Sequence, residues 1–498
     1  ILAQAWRSKH DTTLRYRTPP PFPPSTMQPQ KTRSIADTID ELGVGLAQIR
    51  GVALSYGVWF VGPFGIGLGV VITVFLANEL HLSRAERASL ASMGYLGLIL
   101  GTACGGPAGD YFGRRTPILA SYMLMMVAGV LTVLSSQLWY LLVTRVICGF
   151  AFGLGCAPSV ALASELSPRY SRTIIQASRN MFYGTGLLLG GLVALIDDPW
   201  YRSMHWRLDT LSCIIPGLAF LVLAYLFLQE SPAALAQMGC RKEAREVLEE
   251  IKRLNGKPEV DVALDSDAAA LPTAAAKPTL EAQIRVIFGR QLFGSTVTLV
   301  FVVFTLNTVL YGHLYAFPLI ATSDTTSTMP PAHQNLIQGL IGFAVNLIGV
   351  FASFVVSRRF LLVFGLCIGI GGMVLFAWSG RILNRTEFQS AVYYLAQNAP
   401  GTCSAFGYIA AYQLSVDLYP VQVASTAAGI ILAAGKVGCV ISPFLFAVFH
   451  DWTRFYNLLA LMGGVALVMS LSLLQFTPWS EQASKGAGER TPLVQDKP

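Results

Sequence analysis

The stretch GDYFGRRTPILASYMLMMVAGVLTV (109–133) opens on a polar turn with two adjacent arginines, Arg114 and Arg115. It then runs without a charge from Thr116 to Val133. At ~1.5 Å rise per residue such a run crosses most of ~30 Å of hydrocarbon. VVSRRFLLVFGLCIGIGGMVLFAW (355–378) has the same design: a short turn, the pair Arg358 and Arg359, then an uncharged apolar run. Working outward from these two stretches, comparable runs recur near 52–78, 87–107, 116–136, 138–164, 171–196 and 208–228. They return near 292–320, 336–357, 360–379, 388–414, 425–449 and 455–476.

Composition agrees. Of 498 residues, 53% are hydrophobic and only 13% charged, with mean hydropathy +0.54. Soluble proteins carry ~25% charge, so a soluble single domain is excluded, and the apolar content excludes a largely disordered chain. Barrel strands alternate apolar and polar residues over ~10 positions, a pattern absent here. The expected fold class is an all-α membrane protein with twelve transmembrane helices in two pseudo-symmetric six-helix bundles. The expected divisions are an N-terminal segment (1–51), a first bundle (52–228), a linker (229–290), a second bundle (291–476) and a tail (477–498).

The formal charge of +7 follows topology. With the N-terminus cytoplasmic, 25 of 35 Lys and Arg fall on cytoplasmic segments, 7 on the opposite side and 3 within spans. That bias is the positive-inside rule and puts both termini in the cytoplasm. No basic stretch interleaves with aromatics, so the partners are the bilayer and a small-molecule substrate, not nucleic acid. One chain is expected to work alone. The eight cysteines form no CxxC pair and read as small packing residues, with no metal site and no cofactor.

The segment before Met27 reads either as untranslated sequence, the favoured expectation, or as an Arg-rich transit peptide. Residues 35–50 (IADTIDELGVGLAQIR) read as an amphipathic helix feeding the first span. In the linker, KEAREVLEEIKRL (242–254) reads as a surface helix, followed by Ala-rich sequence without periodicity. Asn384-Arg385-Thr386 is a sequon in a loop too short to favour modification. Residues 489–494 resemble an acidic dileucine sorting signal, of the kind that directs proteins to endosomal or lysosomal membranes; the expected location is the plasma membrane or an endosomal or vesicle membrane.

The halves repeat. GDYFGRR (109–115) is echoed by VVSRR (355–359), and ELSPRYSR (165–172) by DLYPVQVA (417–424). Two independent motifs at nearly equal offsets indicate a duplicated unit, which places a substrate site between two bundles near mid-membrane.

On these motifs the chain is identified as a member of the major facilitator superfamily. Gly106, Asp110, Gly113, Arg114 and Arg115 match its GxxxDxxGRR loop. RVICGFAFGLG (145–155) matches the RxxxG pattern that starts at Arg145. ELSPRYSR matches ExxPxxxR through Glu165, Pro168 and Arg172, and QESPAAL (229–235) looks like the PESPRWL segment. The resemblance implies that this set, with Arg358, Arg359, Asp417 and Pro420 in the second half, clamps helix ends in the outward-facing state. At finer grain IDELGVGLAQI (39–49), NTVLYG (307–312) and GKVGCVISPF (435–444) resemble the branch of synaptic-vesicle-2-related and organic ion transporters. Two departures stand out. Helix 1 lacks the branch's acidic residues, with Ile66 and Gly69 about where they would fall. The second loop copy lacks its Asp.

An ionisable residue inside a span costs a few kcal/mol and is by default a functional candidate. Three bases qualify: Arg145, read mainly as structural; Arg179 beside Asn180, read as lining a cavity or snorkelling toward Glu165; and Lys436, read as lining a cavity. No acid sits mid-span, so an interior with unmatched cations would attract anions. Asn307, Tyr311 and His313 on the seventh span, and Asn398 on the tenth, complete the candidates. Buried amides bond neighbouring helices more often than ligands. The functional expectation is a secondary transporter of a small organic solute, chiefly an organic anion, moving by alternating access. A proton-coupled sugar porter and a transport-inactive receptor of the same fold are the alternatives, and no residues suggest an enzyme.

Overall fold

Polar turns between the apolar runs start helices by capping them. Ser83 accepts from the Glu86 amide while the Glu86 carboxylate accepts from the Ser83 amide, a reciprocal box. Thr386 and Gln389 repeat it, and Ser357 caps Phe360. In the computed structural model, residues 34–262, 280–323, 329–382, 385–449 and 451–474 are described. The segment before Met27, the sequon's Asn384, the sorting-like tail and most of the Ala-rich linker lie outside them.

The first half comprises α1 (Ile35–Leu42), α2 (Leu46–Tyr56), α3 (Val58–Glu79), α4 (Arg84–Phe112), α5 (Arg115–Val133), α6 (Leu138–Glu165), α7 (Arg172–Asp197) and α8 (Trp206–Phe227). The linker adds α9 (Pro232–Gln237), α10 (Arg241–Asn255) and α11 (Leu280–Ile287). The second half comprises α12 (Phe293–Ser323), α13 (Pro331–Val355), α14 (Arg358–Gly380), α15 (Glu387–Ala396), α16 (Ala399–Asp417), α17 (Val421–Val448) and α18 (Trp452–Ser472). Eleven helices among the described residues are long and apolar enough to cross a membrane, counting α2 and α3 as one.

Two expectations are corrected. The tenth span is two helices, α15 and α16, meeting at Gln397 and Asn398. Pro400 suits the break: it lies in the first turn of α16, where a missing amide has no helical partner to lose. The carbonyl of Gln397 accepts from Gln338 Nε2 at 3.2 Å, a partner from within the protein at membrane depth. The helix expected over 35–50 stops at Leu42, where Gly43 takes φ +68°. The Asn255 side chain bridges that break, donating to the Leu42 and Gly43 carbonyls and accepting from the Ala47 amide. The linker helix α10 lies on the surface with its apolar face docked. Leu248 and Ile251 pack on Ile39 and Leu42, and Arg50 pairs with Glu250 at 3.0 Å.

Lipid tails are as apolar as leucine, so helices associate by close packing of small residues. α4 and α6 touch backbone to backbone. A Cβ on Gly101 would lie 2.1 Å from the Phe150 carbonyl, and one on Gly149 1.9 Å from the Gly94 carbonyl. In the second half, a Cβ on Gly438 would lie 2.5 Å from the Phe304 carbonyl. The motif glycine Gly106 differs: nothing lies within 4 Å of its Cβ position.

The ends carrying the arginine loops and the linker define one face, the linker face; the opposite face is the far face. At the linker face, Arg114 donates to Asp110 at 3.0 Å and to Glu165 at 3.2 Å. Glu165 therefore belongs to Arg114 and not to Arg179. The Arg172 guanidinium donates to the Ser167 carbonyl, and Pro168 caps the short 3-10 turn Arg169–Ser171. In the second half, Arg358 and Arg359 open α14 and Pro420 precedes α17; the Asp417 side chain is not among those described.

Glu230 holds this corner. Its carboxylate accepts from the Arg114 and Arg115 amides at 2.8 and 3.0 Å, capping α5 where amides are unpaired and the helix dipole is positive. A Cβ on Gly113, at φ +84°, would lie 2.3 Å from Glu230 Oε2. Gly239 has a similar φ of +83° but open space around it. Both Gly→Ala variants carry a positive-φ backbone cost of about 1–3 kcal/mol, Gly113 with ψ 169° in a region essentially confined to glycine; only Gly113→Ala also evicts the cap, for about 1 kcal/mol more. Thermal unfolding of the purified protein should rank Gly113→Ala clearly below Gly239→Ala. Equal losses would mean that Glu230 adds nothing.

Candidate substrate site between the two lobes

Cross-lobe contacts gather from mid-membrane to the far face. Ser92 on α4 donates to the Val440 carbonyl on α17 at 2.8 Å. α7 packs along α13, with Gly184 facing Phe343 and Leu188 facing Gly339, and the Ala332 amide donates to the Pro199 carbonyl at 3.2 Å. Between the lobes lies a cavity with about 1630 Å³ of atom-free space, its open mouth included.

The structure brings six of the seven candidate side chains to this cavity: Lys436, Arg179, Asn180, Asn307, Tyr311 and His313. Asn398 does not line it; its amide donates to the Tyr394 carbonyl of the preceding turn and holds the helix break. Lys436 on α17 reaches across to α4, where Nζ donates to Thr102 Oγ1 at 2.8 Å. Arg179 lies between two rings, 4.7 Å from the Trp59 centroid and 5.2 Å from that of Tyr412. Trp59 belongs to the first half and Tyr412 to the second, so this cation–π sandwich crosses the lobes on the linker side. No Asp or Glu is among the described lining residues.

The polar residues differ in what they leave free. Asn307 is largely satisfied: Nδ2 donates to the Val303 carbonyl at 2.8 Å, and Oδ1 accepts from the Cys439 thiol at 3.1 Å. Tyr311 meets the Tyr183 hydroxyl at 3.4 Å and packs edge-on against Tyr95. His313 sits mid-chain in a buried relay. Its Nδ1 lies 2.6 Å from the Tyr456 hydroxyl, and its Nε2 meets the Gln338 side-chain amide, which also donates to the Gln397 carbonyl. The relay ties α12, α13, α18 and the α15–α16 break together. Trp59, Tyr412 and Gln338 were not among the sequence candidates, because their spans meet only in the folded molecule.

Arg145, grouped with the loop motif by sequence, lies elsewhere. Its Nη2 donates to the Gly69 carbonyl on α3 at 3.2 Å, deep in the first lobe.

Comparison with known proteins fits this geometry. A family model described as "Sugar (and other) transporter" matches residues 46–484. A D-xylose transporter of Levilactobacillus brevis is 31% identical over 38% of this chain and 41% of its own length. A niacin transporter, NiaP of Acinetobacter baylyi, is 26% identical over 41% of this chain and 45% of its own. The aligned region thus spans less than half of these relatives. An inward-open structure of the xylose transporter XylE from E. coli superposes with TM-score 0.69 and 20% identity, covering 88% of this chain and 99% of that one. A D-xylose-proton symporter structure gives 0.63 and 21%, covering 87% of this chain and 99% of that one. At that identity the likeness is one of fold, the major facilitator fold. The family match spans most of the sequence, and the chain, a multi-pass membrane protein, belongs to the sugar (and other) transporter family.

Proposed function

We propose that this protein carries a small organic anion across its membrane by alternating access, with the inter-lobe cavity as its binding site. The observation that supports this most is the charge of the cavity: Lys436 and Arg179 line it and no carboxylate does among the described residues. A cation without a partner in a low-dielectric site attracts the opposite charge, and the substrate would supply it. Tyrosines and amides around the cations suit further hydrogen bonds to oxygens of the same solute. The finer resemblance to organic ion transporters, and to the niacin carrier among the relatives, is in keeping with this reading.

The linker face is cytoplasmic in this proposal, as the charge bias indicates. The lobes then meet toward the outside, and the cavity is oriented inward behind Arg179. The open space at Gly106 would receive the opposing lobe when the inward side closes. Position 69 is Gly and position 66 is Ile, so the middle of α3 has no acid to take a proton. Transport would run on the substrate's gradient or a counter-substrate.

Uptake into proteoliposomes tests this. An anionic panel should compete while organic cations do not. A charge-assisted hydrogen bond is worth about 1.5–3 kcal/mol, so Lys436→Ala should lower uptake efficiency by about tenfold or more, with Lys436→Arg retaining part of it. Normal transport by Lys436→Ala would sink the anion site. Gly106→Leu should fold and bind substrate yet lose transport, because the lobes could no longer close on the inner side; undiminished turnover would refute that.

A second reading, a proton-coupled sugar porter, draws on the family match and on the His313, Gln338 and Tyr456 relay, whose groups suit hydroxyls. It predicts pentose or hexose uptake that collapses when a proton gradient is dissipated.

A further inference from the structure

The first lobe contains a second cavity, with about 1000 Å³ of atom-free space including its opening. Arg145 is its one charged lining residue. Among the guanidinium's five N–H donors, Nη2 reaches the Gly69 carbonyl, while Nε is buried without a partner. No ion pair involves Arg145 among the described residues. Asp209, the nearest acid on α8, is turned toward Asp197 and His205 at the far end of the helix. Thr73, Thr132 and Thr210, which also line the cavity, spend their hydroxyl protons on carbonyls of their own helices.

A buried charge with no counter-charge costs several kcal/mol. Position 69 is where a side chain would meet this guanidinium: a Cβ there would lie 2.1 Å from Arg145 Nη1. With Gly at that place, the cation has neighbours but no neutralising group, and a cavity beside it. The walls are mostly glycine and apolar side chains, which favours a monovalent, weakly hydrated ion over a multivalent one. Val70, Leu98 and Phe152 line both this cavity and the inter-lobe one, so a single layer of side chains separates them.

We propose that Arg145 binds a chloride-sized inorganic anion in the first lobe, as the counter-charge that this chain does not encode. The site is independent of the substrate assigned to the central cavity. Because the two cavities share a wall, occupancy of one changes the packing of the other.

The test is thermal unfolding of the full-length purified protein at fixed ionic strength, with sodium chloride replacing sodium gluconate. Chloride and bromide should raise Tm saturably, by about 2–5 °C. Arg145→Gln should abolish the rise. Gly69→Asp, which builds the counter-charge in and needs only the flexible guanidinium to swing aside, should abolish it without lowering the starting Tm. Where Arg145→Gln does not fold, Gly69→Asp carries the test. Lys436→Ala should keep the full rise. Equal Tm in both salts, or a rise that survives Gly69→Asp, overturns the site. A rise lost in Lys436→Ala would assign the anion to the central cavity and overturn it equally.

Discussion

Hydrocarbon offers no partner to a charge or to a freed carbonyl, so each must be answered from within the protein. That constraint arranges this molecule. The carbonyl released at the α15–α16 break is met by Gln338. Arg114, at a membrane boundary, is met by Asp110 and Glu165. Lys436, at depth, is met by a hydroxyl, and Arg179 by two aromatic faces. The first answer is a hydrogen bond and the second a pair of carboxylates facing the cation. The last two leave net positive charge in the cavity where a solute would bind.

The same separation appears in the packing. Within each lobe, glycines let helices approach until backbone meets backbone, as between α4 and α6. Such contacts are short and numerous, and they make each lobe a unit. Between lobes, side-chain hydroxyls, amides and rings join a few backbone contacts, such as the Ala332 amide on the Pro199 carbonyl. A lobe interface of that kind can be exchanged for another at little cost, which is what alternating access requires.

Much of this was legible in the residues. The apolar runs, the two arginine turns and the paired loop motifs led to two six-helix units and a cavity between them. Lys436, flanked by Gly435 and Gly438 far from either membrane surface, could be assigned to that cavity because nothing else could hold it. Other features were not legible. Pro400 was visible, but that Gln338 would donate to the Gln397 carbonyl at the break depended on two distant spans meeting. Glu230 lay in a recognised segment, yet its grip on the Arg114 and Arg115 amides follows from Gly113 turning the chain back toward it.

Hydropathy and charge act locally along the chain, so the sequence by itself determined the spans, their repeat and the excess of basic residues on one face. Which residues meet across spans depends on how far each helix rotates about its axis and how the lobes dock. The Trp59, Arg179 and Tyr412 sandwich joins positions far apart in sequence. So does the approach of Arg145 to Gly69. Only the tertiary structure decided these, because contacts between helices are set by the packing of whole surfaces and not by any one segment's preference.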